Sequence, residues 1–151
     1  MSTLLQGSEL RTLNYGRRAS KSTGTLAATT VPLFTVAGGR VALTSIYGVV
    51  GTAITVANSY QLQHNPTSGT TVALFAAADI GTTDTAAGEL LGFTGDTSGS
   101  LLAIGGAVET LRAPIVLAVG QIESVSSGTD GEITWVVTWV PLDDGATLVA
   151  A

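Results

Sequence analysis

Side chains able to transfer protons, attack carbon or hold a metal are few in this chain. Its 151 residues include one histidine, His64, and no cysteine. Disulfides and thiolate metal sites are thereby excluded. A serine nucleophile would need a base and a strained elbow of the form G-x-S-x-G. The nearest string, Gly95-Asp96-Thr97-Ser98-Gly99, places its serine one position too late. His64 sits against the turn Asn65-Pro66-Thr67-Ser68-Gly69 and reads as a turn-proximal polar side chain rather than a base. Paired carboxylates could hydrolyse glycosides, but the acids lie mostly in Gly- and Thr-rich turns: Asp79, Asp84, Asp96, Asp130, Asp143 and Asp144. There they serve turn geometry and solvation. Asp79 to Asp84 and Asp143-Asp144-Gly145 offer oxygen ligands suited to calcium, yet neither has the EF-hand register. No phosphate-binding glycine loop occurs. The expectation is a protein that is not an enzyme and carries no cofactor.

The basic residues are distributed with more purpose. Arg11, Arg17, Arg18 and Lys21, four of the six bases, lie within eleven positions. Residues 1–30 therefore carry +3 (four bases against Glu9), and residues 31–151 carry −8 (Arg40 and Arg112 against ten acids), which gives the net −5. The tract from Gly16 to Gly24 is polar with no apolar period, which predicts an extended or disordered arm. Residues 1–30 are thus expected to form an extended basic N-terminal arm, and residues 31–151 a separate β domain. An acidic body repels phosphate, and no set of stacking aromatics is present, so nucleic acid is not an expected partner. An acidic protein surface is, with Arg11, Arg17, Arg18 and Lys21 as the docking residues.

The elements that must carry these residues are strands. Charged residues make up 11% of the chain, against about a quarter in ordinary soluble domains. A surface of Thr, Ser, Gly and Ala repels neighbours poorly and suits a chain packed among other subunits. Pro32–Val36 and Arg40–Tyr47 flank Gly38-Gly39, a hairpin signal. Tyr60, Leu62 and His64 fall on one face of the next run, Gln61 and Gln63 on the other. Thr70 to Ala77 is expected to return as its partner, with a possible helical turn at Ala76–Asp79. Further strands are expected at Glu89–Thr94, Leu101–Ile104, Ile115–Val119 (on a sheet edge, because of Pro114) and Gln121–Val125. The clearest is Glu132–Val140, where Ile133, Trp135, Val137 and Trp139 share one face. With Phe34, the two tryptophans are the expected anchors of a core or a subunit interface. Short strands spaced by turns indicate an all-β protein, a single antiparallel β-sandwich or barrel. Residues 41–78 carry no charge, but Thr44, Ser45, Gly48, Asn58, Gln61 and Asn65 interrupt them, so no membrane-spanning helix is expected. The N-terminal residues lack the charged and apolar regions of a secretory signal.

Four strings carry a resemblance: Leu33-Phe34-Thr35-Val36-Ala37-Gly38-Gly39-Arg40-Val41, Asn65-Pro66-Thr67-Ser68-Gly69-Thr70, Ala113-Pro114-Ile115-Val116, and Trp139-Val140-Pro141-Leu142-Asp143-Asp144-Gly145-Ala146. Over roughly residues 25–151 the chain resembles a family of small tailed-bacteriophage virion proteins. The resemblance implies a capsid decoration (cement) protein, β-rich and homotrimeric. Such a protein sits on the outer capsid surface of the virion, with the major capsid protein as partner. A tail, baseplate or head-fibre subunit is a second expectation. A carbohydrate-binding sandwich using Trp135 or Trp139, if exposed, is a third.

Overall fold

The alternation in Glu132–Pro141 seeds the fold, since a strand with one bulky apolar face must lay that face against a second layer. In the computed structural model, which describes residues 4, 6–95 and 103–151, this strand is an interior strand of a six-stranded sheet. In chain order the elements are α1 (Gly7–Tyr15), β1 (Arg17–Thr25), β2 (Thr30–Ala37), β3 (Val41–Thr52), β4 (Ser59–Pro66), β5 (Val72–Ala73), β6 (Ala78–Asp79), β7 (Leu90–Gly92), β8 (Ala103–Gly105), β9 (Ile115–Leu117), β10 (Gly120–Ser126), β11 (Glu132–Pro141) and β12 (Thr147–Ala150). The first sheet runs β1-β11-β3-β7-β8, with β9 also on β3. The second runs β12-β2-β10-β4-β5, with β6 also on β4. Every pairing is antiparallel. The two sheets pack face to face as an open sandwich, not a closed barrel.

The inner faces form one core. Ile133, Trp135, Val137 and Trp139 from β11 are buried, and so are Leu43 and Ile46 from β3. Opposite them lie Tyr60 and Leu62 of β4, Ile122 of β10 and Leu148 of β12. Phe34 and Leu33 are adjacent yet both fully buried. The ladder explains this. Ile122 pairs with Phe34 and Glu123 with Pro32, so Leu33 is an extra residue in β2 that breaks the alternation.

Three local expectations are corrected. The Gly38-Gly39 pair does not close a hairpin, because β2 belongs to the second sheet and β3 to the first. The pair instead carries the chain between layers, under the turn that joins β11 to β12. Gly38 has φ +74°, and a Cβ there would collide with the carbonyl oxygen of Gly145. The return strand after the Asn65–Gly69 turn is reduced to β5 and β6, two residues each. Leu74 and Phe75 between them are both buried, which pulls the chain off the sheet and into the core. Phe75 meets Phe93 at 4.8 Å between ring centroids. Ala76–Asp79 contains β6 rather than a helical turn. The expected strand Leu101–Ile104 begins outside the described residues, as does the string Asp96–Gly99; within them, β8 occupies Ala103–Gly105.

The largest correction concerns the arm. Residues 17–25 are extended, but as a sandwich strand rather than a free tether. β1 pairs with β11 from Arg17↔Trp139 through Ser22↔Thr134 and ends at Thr25↔Glu132. Ser22 Oγ donates to Glu132 Oε1 at 2.5 Å, and Thr23 Oγ1 accepts from the Ile133 amide at 3.1 Å. The division expected at residue 30 therefore cuts through the sandwich. Only the segment up to Gly16 precedes the sheet.

Candidate docking surface

Alternation along β1 separates the basic residues that lie together in sequence. Arg17 is the register partner of Trp139 and Lys21 that of Trp135, so both belong to the inward side of this edge strand. The Arg17 guanidinium lies 5.5 Å from the Trp139 ring centroid, a cation–π contact. Lys21 Nζ donates to the backbone oxygen of Ala151 at 2.6 Å, which ties the open edges of the two sheets together. Arg18 is opposite Thr138 and belongs to the outer face. Arg11 is exposed on α1. The expected four-residue docking cluster is thus two residues engaged within the fold and two presented outward. Phe34, Trp135 and Trp139 are core residues of this chain, 0%, 0% and 3% exposed. Neither tryptophan offers a sugar platform.

α1 was not foreseen. Glu9 Oε2 accepts from the Gln6 amide at 2.7 Å, a reciprocal N-terminal cap. Gly16 ends the helix at φ +93°, its amide donating to the Thr12 carbonyl at 2.9 Å. A Cβ on Gly16 would strike the Trp139 carbonyl oxygen, so glycine is what lets the chain pass directly from α1 into β1. Thr44 Oγ1 donates to the Tyr15 carbonyl and is also hydrogen-bonded to Thr138 Oγ1 at 2.7 Å. These contacts seat the end of α1 on the outer face of the first sheet. The helix buries none of its residues. Leu10, Leu13 and Tyr15 remain 46%, 72% and 61% exposed. The sequence signals were Gln6-x-x-Glu9 and the Leu10/Leu13 spacing, masked by the polar tract that follows.

Between α1 and the sheet is a hollow of about 290 Å³, lined by Ser8, Arg11, Tyr15, Arg18 and Thr138 among others. No carboxylate lines it. Elsewhere several acids are engaged in local structure. Asp79 accepts from the Thr82 hydroxyl and from the amides of Asn58, Gly81 and Thr82, which holds it well below the usual carboxylate range. Asp130 is held down by the Thr55 amide and hydroxyl. Asp143 meets Arg40 at 2.8 Å, which lowers it to about 2. Of the acids offered for calcium, Asp79, Asp84, Asp143 and Asp144, two (Asp79 and Asp143) thus staple turns through their own hydrogen bonds. Among the described residues no three His, Asp or Glu side chains come together to hold a metal. Comparison with family models, curated proteins and solved structures finds no match for this chain.

His64 is not a turn-side polar group. It lies in β4 between Ile122 and Val72, is 7% exposed, and neither ring nitrogen has a hydrogen-bond partner among the described residues. Burial holds its imidazole below the ordinary value of 6.5. The unfolded chain then binds the proton first, so stability is full above about pH 6.5 and falls as the pH drops towards the folded value. The expected slope is up to about 1.4 kcal/mol per pH unit for one proton. Asp143 acts in a lower window, its contribution fading from about 3.8 towards about 2. Urea unfolding midpoints measured between roughly pH 7 and pH 5 should decline for the native chain and flatten in His64→Leu. Parallel declines would reject His64 as the source.

Proposed function

We propose that this chain is a capsid decoration (cement) protein of a tailed bacteriophage. In this reading it is a non-enzymatic homotrimer on the outer surface of the virion head. It binds the major capsid protein and strengthens contacts between capsomers. Neither nucleic acid nor membrane is a partner. The reading rests on the resemblance in residues 25–151 and on a surface poor in charge. The single observation that carries it is α1. A nine-residue helix is marginal by itself in water, and this one leaves Leu10, Leu13 and Tyr15 uncovered. Such a segment is completed by a neighbour, and three copies on one trimer would add their weak contacts into tight binding.

The test is removal of residues 1–15, which takes away α1 and spares β1. The truncated chain is expected to fold, and to bind undecorated heads at least about 100-fold more weakly than the full chain, as the loss of several linked contacts requires. Full-strength binding would sink the docking role of α1. Copy number separates this reading from a tail, baseplate or head-fibre subunit: copies matching the capsid lattice favour decoration, and copies matching a single vertex or tail count against it.

A further inference from the structure

Six basic residues serve an acidic chain, and four have partners in the fold. Arg40 pairs with Asp143 and Arg112 with Glu109, Arg17 lies over Trp139, and Lys21 meets the Ala151 oxygen. Arg11 and Arg18 have no ion-pair or hydrogen-bond partner among the described residues. These two come from different elements, α1 and β1, yet both line the hollow beside Thr138. Ser8 and Tyr15, two hydroxyl-bearing residues, also line it. The nearest acid in sequence, Glu9, is turned to the helix start, where it accepts from the Gln6 amide.

An isolated surface arginine means little. Two arginines without partners among the described residues, lining one hollow with no acid among its lining residues in a chain of net −5, form a site electrostatically complete only with an anion. Its volume, about 290 Å³, lies at the bottom of the range for small-molecule pockets (about 300–1,000 Å³). It suits a side chain or two rather than a cofactor. We propose that Arg11 and Arg18 form a carboxylate clamp for an acidic segment of the partner protein. An Asp or Glu side chain enters the hollow, and apolar residues flanking it pack on Leu10 and Leu13. Guanidinium forks match carboxylates bidentately, which supplies orientation as well as attraction. A polyanion is disfavoured because residues 31–151 carry −8 and repel an extended line of phosphates. The proposal deepens the docking reading and depends on it only for what the partner is.

The probe is a fluorescein-labelled peptide with a single glutamate flanked by leucines, with its Glu→Gln version as the uncharged counterpart, titrated against the full chain at low salt. The glutamate peptide is expected to bind and the glutamine version not to. Arg11→Gln with Arg18→Gln should weaken the glutamate peptide at least about tenfold, while Arg112→Gln, a charge control outside the lining of the hollow, should leave it unchanged. An equal loss in Arg112→Gln would mean general charge attraction and would overturn the clamp. So would preferential binding of inorganic phosphate or of a short single-stranded DNA. Sedimentation closes the last alternative: self-association of the native chain that disappears in the double variant would make a second copy the occupant. Heads are not needed for these readouts. If residues 1–15 prove necessary for head binding but the double variant binds heads normally, the clamp fails and the decoration reading stands.

Discussion

Replacing Trp135 by alanine is expected to unfold the sandwich or bring it close to unfolding. The side chain is fully buried in the middle of β11. Its ring is parallel to that of Tyr60 across the core, with 6.2 Å between centroids and 4° between planes. Its Nε1–H donates to the Tyr60 hydroxyl at 2.7 Å, and Ser124 Oγ donates to the same oxygen at 2.9 Å. The contact joins β11 of one sheet to β4 and β10 of the other. Burial pushes the Tyr60 phenol well above its ordinary range, so it stays neutral. Truncating a buried tryptophan costs about 3–5 kcal/mol in cavity and transfer terms. Domains of this kind have about 5–15 kcal/mol in total. Tyr60→Phe removes the acceptor and keeps the ring, and it should cost about 1–3 kcal/mol through the unpaired indole N–H. Urea unfolding followed by circular dichroism measures both. A loss below about 1 kcal/mol in Trp135→Ala would contradict a core role for the residue.

The second large effect separates two truncations that differ by nine residues. Removing residues 1–15 should change stability by no more than about 1 kcal/mol, because α1 buries none of its residues. Removing residues 1–24 deletes β1. β11 then becomes the sheet edge, with a row of unpaired backbone groups and the Trp139 ring uncovered beneath the departed Arg17. The ladder hydrogen bonds are each worth about 0.5–1.5 kcal/mol net, so a loss of at least about 4 kcal/mol is expected, with aggregation through the new edge. Thermal melts and size-exclusion profiles of the two truncations decide the matter. Identical melting of both would show that β1 is an ornament on the sheet. The comparison also bears on docking, since loss of head binding by the longer truncation alone would reflect a damaged sandwich.

Some of the fold was legible because some of the physics is local. The alternation at Glu132–Val140 and the Tyr60-Leu62-His64 face are period-2 patterns, and each appears in the structure as a strand with that face buried. Pro114 correctly predicted an edge position for β9, which among the described residues pairs only with β3. The Gly38-Gly39 pair was misread because a hairpin and a crossover between sheets need the same conformational freedom. What distinguishes them is the chain packed above, here Gly145. β1 was missed for a related reason. Its inward residues are Arg17, Ala19 and Lys21, a run without large apolar side chains, and Thr23 anchors its end by accepting from the Ile133 amide.

The same contrast defines the candidate site. Sequence spacing alone grouped Arg11, Arg17, Arg18 and Lys21 and placed the acids in turns, since charge distribution and turn chemistry are properties of neighbours along the chain. It also determined an all-β protein, through periodicity and glycine placement. Only the tertiary structure decided which sheet each strand joins and which arginines are occupied. Those outcomes depend on pairings such as Arg17 with Trp139 and Lys21 with Ala151, between residues more than a hundred positions apart. No local pattern encodes such a pairing: it follows from which strand edges and which buried faces remain to be matched once the chain has collapsed.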